Sequence, residues 1–187
     1  MRSACGIPWL TLVVSCVAGA VTGGATTAPS SAPSPFTCTK FSFTVQPPPD
    51  WVPVKGDPDD ALSLAPQSQA NAKDLSKVSS LKITVPDLPM HIPGMIPVGS
   101  VANGYVSDMR KEYPDWHVDE RVVATVPAAS ARRIVSTFSQ NGATWRDVVL
   151  CIVHKDRVFL LVADCPVGDY PATRAAFDAM AASLKWN

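Results

Sequence analysis

An α+β fold with a central antiparallel sheet of about six or seven strands, and helices on its faces, is predicted by three observations. Asn141-Gly142 stands between two β-rich runs, Ser130–Gln140 and Ala143–Val153. Two stretches, Val148–Val153 and Val158–Ala163, are almost wholly apolar. The chain closes on an amphipathic segment, Tyr170–Leu184. Strands follow one another in runs and do not alternate with helices, so the sheet is antiparallel and not built from βαβ units.

The first segment reads as an export signal. Arg2 is its early charge, and a short apolar run, Ile7–Val14, follows. The run is too short to span a bilayer. Val13-Val14-Ser15-Cys16 fits the pattern in which cleavage exposes a cysteine that carries lipid. Cleavage after Ala18-Gly19-Ala20 is the other reading, and the two stay open. Residues 1–20 are therefore read as signal peptide and residues 21–35 as a linker of Pro, Ser, Thr, Ala and Gly without a large apolar side chain beyond Val21. The folded domain is residues 36–187. The expected location is exported: a periplasmic or cell-surface lipoprotein, or a secreted protein.

Within the domain, Phe41-Ser42-Phe43-Thr44-Val45 alternates with period two and reads as a strand ended by Pro47-Pro48-Pro49. Asp50-Trp51 is expected as a turn. Ala61–Ala65 and Leu81–Val85 read as strands, with a polar loop over residues 67–77. Four prolines keep residues 86–97 irregular. A helix is expected from about Val98 to Tyr113, with Val101, Tyr105 and Met109 as its apolar stripe, and a strand over Val118–Val126. Asn-Gly suits a type I′ turn because both positions need positive φ. The resulting register sets Phe138 opposite Trp145, Ile134 opposite Val149 and Cys151 opposite Arg132. Unbroken apolar character over 148–153 and 158–163 implies strands buried on both faces. In the last helix Phe177, Met180, Ala181 and Leu184 form the buried stripe, and Pro171 suits its first turn.

Lys and Arg number 16, as do Asp and Glu. Zero net charge argues against nucleic acid as a partner and gives no electrostatic reason to lie on an anionic membrane, so a lipid on Cys16 is the expected membrane attachment if there is one. The domain holds Cys38, Cys151 and Cys165, whose spacings match no zinc or Cys-x-x-Cys motif. Three cysteines allow at most one bridge. The register separates Cys151 from Cys165, Cys38–Cys165 stays open, and a buried free thiol is expected at Cys151.

No Gly-x-Ser-x-Gly is present, and His117 and His154 read as solvated surface residues. Asp57, Asp59 and Asp60 read as an exposed turn, since no later bidentate Glu completes a calcium loop. Asp119-Glu120-Arg121 reads as an exposed strand edge. Met90, His91 and Met95 carry the ligand chemistry that selects Cu(I). Packing over a sheet edge is the commoner role for such a loop, and no metal or cofactor is assigned. Met90, Ile92, Met95 and Ile96 are the candidate surface for a partner or apolar ligand, against the alternative that they fold back on the core.

Phe41–Val45 followed by Asp50-Trp51 resembles the opening strand and tryptophan turn of PsbP-like domains, with Asp50 where the glycine usually stands. Arg157–Val162, Phe177–Met180 and Ser183-Leu184-Lys185-Trp186 resemble their closing strand and helix. The group includes PsbP proteins of photosystem II, Ran-binding Mog proteins and exported actinobacterial lipoproteins of the LpqN type, the last being similar in layout to this chain. The resemblance implies an α-β-α sandwich and a binding or assembly accessory without catalytic machinery. Its partner would be an envelope protein or a small apolar ligand. A small-ligand or lipid carrier is the alternative, and an enzyme of unrecognised class comes third.

Overall fold

The structure, a computed structural model, describes residues 33–86 and 96–187. In chain order the first strands are β1 (Phe36–Cys38), β2 (Phe43–Val45), β3 (Trp51–Pro53), β4 (Asp60–Pro66) and β5 (Ser80–Thr84). Helix α1 (Val98–Glu112) precedes β6 (His117–Val126), β7 (Ala129–Gln140), β8 (Ala143–His154) and β9 (Arg157–Pro166). Helix α2 (Tyr170–Ser183) and β10 (Lys185–Trp186) complete the chain. Seven strands form one sheet in the order β3-β4-β5-β9-β8-β7-β6, and β1-β2-β10 form a second sheet. Every pairing is antiparallel.

Tight hairpins build the long strands. Asn141 and Gly142 have φ of 52° and 76°, the two positive angles a type I′ turn needs. That turn fixes Phe138 opposite Trp145, Ile134 opposite Val149 and Cys151 opposite Arg132, as the sequence predicts. The β6–β7 turn at Pro127-Ala128 has no such signature, yet Ala128 takes a φ of 53°. Lys155, in the β8–β9 turn, has a φ of 51°.

Each face of the central sheet is covered by one helix. On one side Val135, Val148, Leu150, Ile152, Phe159 and Leu161 pack with Phe177, Met180 and Leu184 of the α2 segment. On the other side Ile134, Phe138, Val149, Cys151 and Val162 pack with Ala102 and Val106 of α1 and with Trp116. This double coverage removes polar alternation from β8 and β9, since each large side chain withdrawn from water contributes about 1.5–3 kcal/mol. The most buried row of α1 is Ala102 and Val106, one position on from the expected stripe. Val101, Tyr105 and Met109 flank it, half-buried.

Several expectations need correction. The strand expected over Phe41–Val45 begins at Phe43, because Ser42 has a φ of 56° and closes the β1–β2 turn. It joins the small sheet, and β3 is the strand that completes the seven. Asp50 (φ 62°) makes the expected turn, but Trp51 already starts β3. His154 is not simply solvated: its ring stacks on Trp186 at 4.0 Å and 3°, and its Nδ1 lies 2.9 Å from the Ala128 carbonyl oxygen. Cys151 is the buried free thiol the sequence predicts, and Cys38 and the buried Cys165, whose pairing the sequence leaves open, are free as well. Residues 1–20 with Cys16, the linker as far as residue 32, and the loop residues Met90, His91, Ile92 and Met95 lie outside the described residues.

Candidate functional site

Helix α1 lies over β7 and β8, so among the described residues no helix covers the β4-β5-β9 part of the same sheet face. A cleft of about 640 Å³ forms there. Its floor carries Ser63 from β4, Lys82 and Thr84 from β5, and Leu160, Val162 and Asp164 from β9. Tyr105 and Met109 of α1 and the following Tyr113 form the wall, with Phe138 and Trp145 at the base. Strand geometry explains the mixture. Lys82 and Thr84 face the cleft because Leu81 and Ile83, 0% and 3% exposed, fill the core on the opposite face.

The polar floor is internally organised. Asp60 accepts hydrogen bonds from the Ser63 hydroxyl (2.8 Å), the Thr84 hydroxyl (2.7 Å) and the Asp57 backbone N–H (3.1 Å). Asp57 and Asp59 are exposed around a turn at residues 58–59, as the sequence predicts, while Asp60 is half-buried at the start of β4 and belongs to the cleft. Lys82 Nζ lies 3.5 Å from Asp164 Oδ2. Asp164 raises the Lys82 pKa, helped by Asp60 and Asp57 and opposed by burial. Four carboxylates (Asp57, Asp60, Glu112, Asp164) and two ammonium groups (Lys55, Lys82) line the cleft. The opening is thus acidic on its polar side and aromatic on its wall.

Behind the wall sits Asp147, with no exposed surface. The Tyr105 hydroxyl donates to its Oδ2 at 2.9 Å, and the Ser136 hydroxyl donates to its Oδ1. Asp147 also stands opposite Asp164 in the β8–β9 register. Burial first, then the Asp164 charge, push its carboxyl up to about 6, while Ser136 and Tyr105 pull the other way. The Trp116 indole N–H also favours the carboxylate, though it has no partner within hydrogen-bond geometry. Burial and the same two carboxylates raise the Tyr105 phenol well above its ordinary range. Tyr105 is further held edge-on against Trp116, ring centres 6.3 Å apart.

None of these cleft residues was singled out from the sequence as a site. Asp147 and Asp164 each sit beside an apolar run, and the register alone places Asp147 opposite Ser136; a charge so placed on a buried strand is the signal that could have found them. Of the predicted contact residues, Ile96 is described, half-buried just ahead of α1. Among the described residues no group of three or more His, Cys, Asp or Glu is arranged to hold a metal, and no helix is long and apolar enough to cross a membrane.

A seven-stranded antiparallel sheet with one helix on each face, and a small terminal sheet beside it, defines an α-β-α sandwich. Its particular form is the PsbP/Mog1-like fold, as three solved structures show. Cyanobacterial PsbP from Synechocystis sp. PCC 6803 superposes with a TM-score of 0.60 at 11% identity, covering 82% of this chain and 92% of that one. LpqN of Mycobacterium tuberculosis, described as involved in cell envelope biogenesis, gives 0.56 at 18% identity over 81% and 88%. The Ran-binding protein Mog1p of Saccharomyces cerevisiae gives 0.57 at 9% identity over 82% and 94%. No family model matches the chain, and no curated protein matches its sequence.

Proposed function

We propose that this chain is an exported, non-enzymatic binding or assembly accessory module that takes its ligand or partner segment in the cleft between α1 and β4-β5-β9. The observation that carries the reading is the cleft itself: about 640 Å³ of open space with a hydrogen-bonded polar floor and a wall of Tyr105, Met109 and Tyr113. Concave sites that pair apolar walls with a few fixed polar groups are where proteins hold ligands. The fold shared with PsbP and LpqN supports an accessory role, and the leader with its candidate lipidation at Cys16 supports export. The apolar part of the cleft favours a second reading, a carrier of a small apolar ligand or lipid.

The test is native mass spectrometry of the protein isolated from its own host, wild type beside Leu160→Trp. Leu160 is half-buried on the cleft floor, so tryptophan fills the space without removing a side-chain hydrogen bond. A retained protein, present on wild type and absent from a folded variant, supports the accessory reading; a retained small molecule supports the carrier. The same species on both proteins would place binding elsewhere. Intact mass with Cys16→Ala alongside tests export: a lipid-bearing mass that the variant loses marks a tethered lipoprotein, and a mass matching cleavage near Ala20 in both marks a secreted one.

A further inference from the structure

A second pocket, of about 400 Å³, lies away from the cleft, where the β1–β2 turn meets the β8–β9 turn. Lys40 and Ser42 come from the first turn, and His154, Lys155 and Arg157 from the second. Asp156 is the one carboxylate in its lining. Three cations against one anion line this pocket, and Lys40 and Arg157 also border the adjoining pocket that holds Asp59 and Asp60, which leaves Lys155 as the cation that belongs to this pocket alone. One aromatic ring gathers two of them: Lys40 Nζ is 4.8 Å and Arg157 Cζ 5.6 Å from the Phe41 ring centre. Like charges drawn to one ring repel, and an anion between them relieves the repulsion.

Ser42 and Lys155 both line the pocket, and both hold positive φ, 56° and 51°. Glycine adopts that region freely, whereas a side chain there is strained. The β8–β9 hairpin turn itself imposes that angle on Lys155, so glycine there relieves strain without disturbing the fold. His154 is anchored by its Trp186 stack and by the Ala128 carbonyl oxygen, so the second turn is rigidly placed.

We infer that this pocket binds a phosphate group, carried either by a free organic phosphate or by a lipid headgroup. A guanidinium, two ammonium groups and a hydroxyl are the donors that phosphate oxygens take. The site is separate from the α1 cleft, so its failure leaves the proposed function untouched.

The experiment compares full-chain wild type with Lys155→Gly, Arg157→Gln and, as a control on α1, Lys111→Gln. Two probes are used: glycerol 3-phosphate followed by calorimetry, and phosphatidylglycerol vesicles followed by co-sedimentation. The expected result is binding of at least one probe that weakens about tenfold in each pocket variant, the loss of one charge-assisted contact, with Lys111→Gln unchanged. Lys155→Gly should also melt at a higher temperature than wild type, so lost binding cannot be lost folding. Binding of glycerol 3-phosphate assigns a free organic phosphate, and binding to vesicles alone assigns a lipid headgroup. No binding of either probe, or equal weakening in Lys111→Gln, would overturn the inference.

Discussion

The Tyr105 hydroxyl meets Oδ2 of Asp147 at 2.9 Å, joining the helix wall of the cleft to a carboxylate that has no exposed surface. Burying that charge opposite Asp164 is unfavourable, since like charges directly across a strand pair repel. The hydrogen bonds from Tyr105 and Ser136 offset part of the cost and fix where the α1 wall stands over the sheet.

Asp147→Asn should therefore stabilise the protein at neutral pH. The carboxyl titrates near 3.8 when unfolded and at about 6 when folded. A raised acid leaves the folded state holding more protons between those values, so its contribution to stability falls as pH rises from about 4 to 6 and stays low above. Two pH units correspond to about 3 kcal/mol at pH 7. Urea melts at pH 4 and 7 should show the variant gaining that order of stability at pH 7 only.

Tyr105→Phe should act in the opposite sense. Asp147 loses one donor, its carboxyl moves above the wild-type value of about 6, and stability at pH 7 drops by about 1–3 kcal/mol. NMR titration of the Asp147 carboxyl reads the first effect and chemical denaturation the second.

Turn chemistry gives a paired expectation. Gly142 has a φ of 76°, so Gly142→Ala should cost about 1 kcal/mol. Ala128 has a φ of 53°, so Ala128→Gly should gain stability, on the order of 0.5–1 kcal/mol, once the greater freedom of the unfolded chain is offset. Thermal melts of the two variants should move in opposite directions.

Trp186 closes the small sheet on the large one. Its indole N–H donates to the Pro127 carbonyl oxygen at 2.8 Å, and its ring lies 4.9 Å from Phe159 and 4.0 Å from His154. Trp186→Ala should cost about 2–3 kcal/mol and speed amide exchange in β2 and β10.

The long hairpins were legible in the sequence because their signals are local. Asn141-Gly142 fixes a register by itself, and the apolar runs of β8 and β9 record burial on both faces. The small sheet was not legible: β1 has three residues and β10 two, too few for any periodicity. Pro127-Ala128 was hidden because alanine gives no sign of positive φ. The cleft was the least legible feature. It is assembled from β4, β5, β9 and α1, which lie far apart in the chain, and Lys82 reads locally as an ordinary outward residue of an alternating strand.

The cleft as the binding surface is tested most directly by a photo-crosslinking residue at Met109, on its wall, compared with one at Val123, which is 76% exposed on the edge strand β6. Irradiation in the native host should yield a discrete adduct at position 109 and none at 123. An adduct at 123 with none at 109 would contradict the assignment and move the binding surface to the sheet edge.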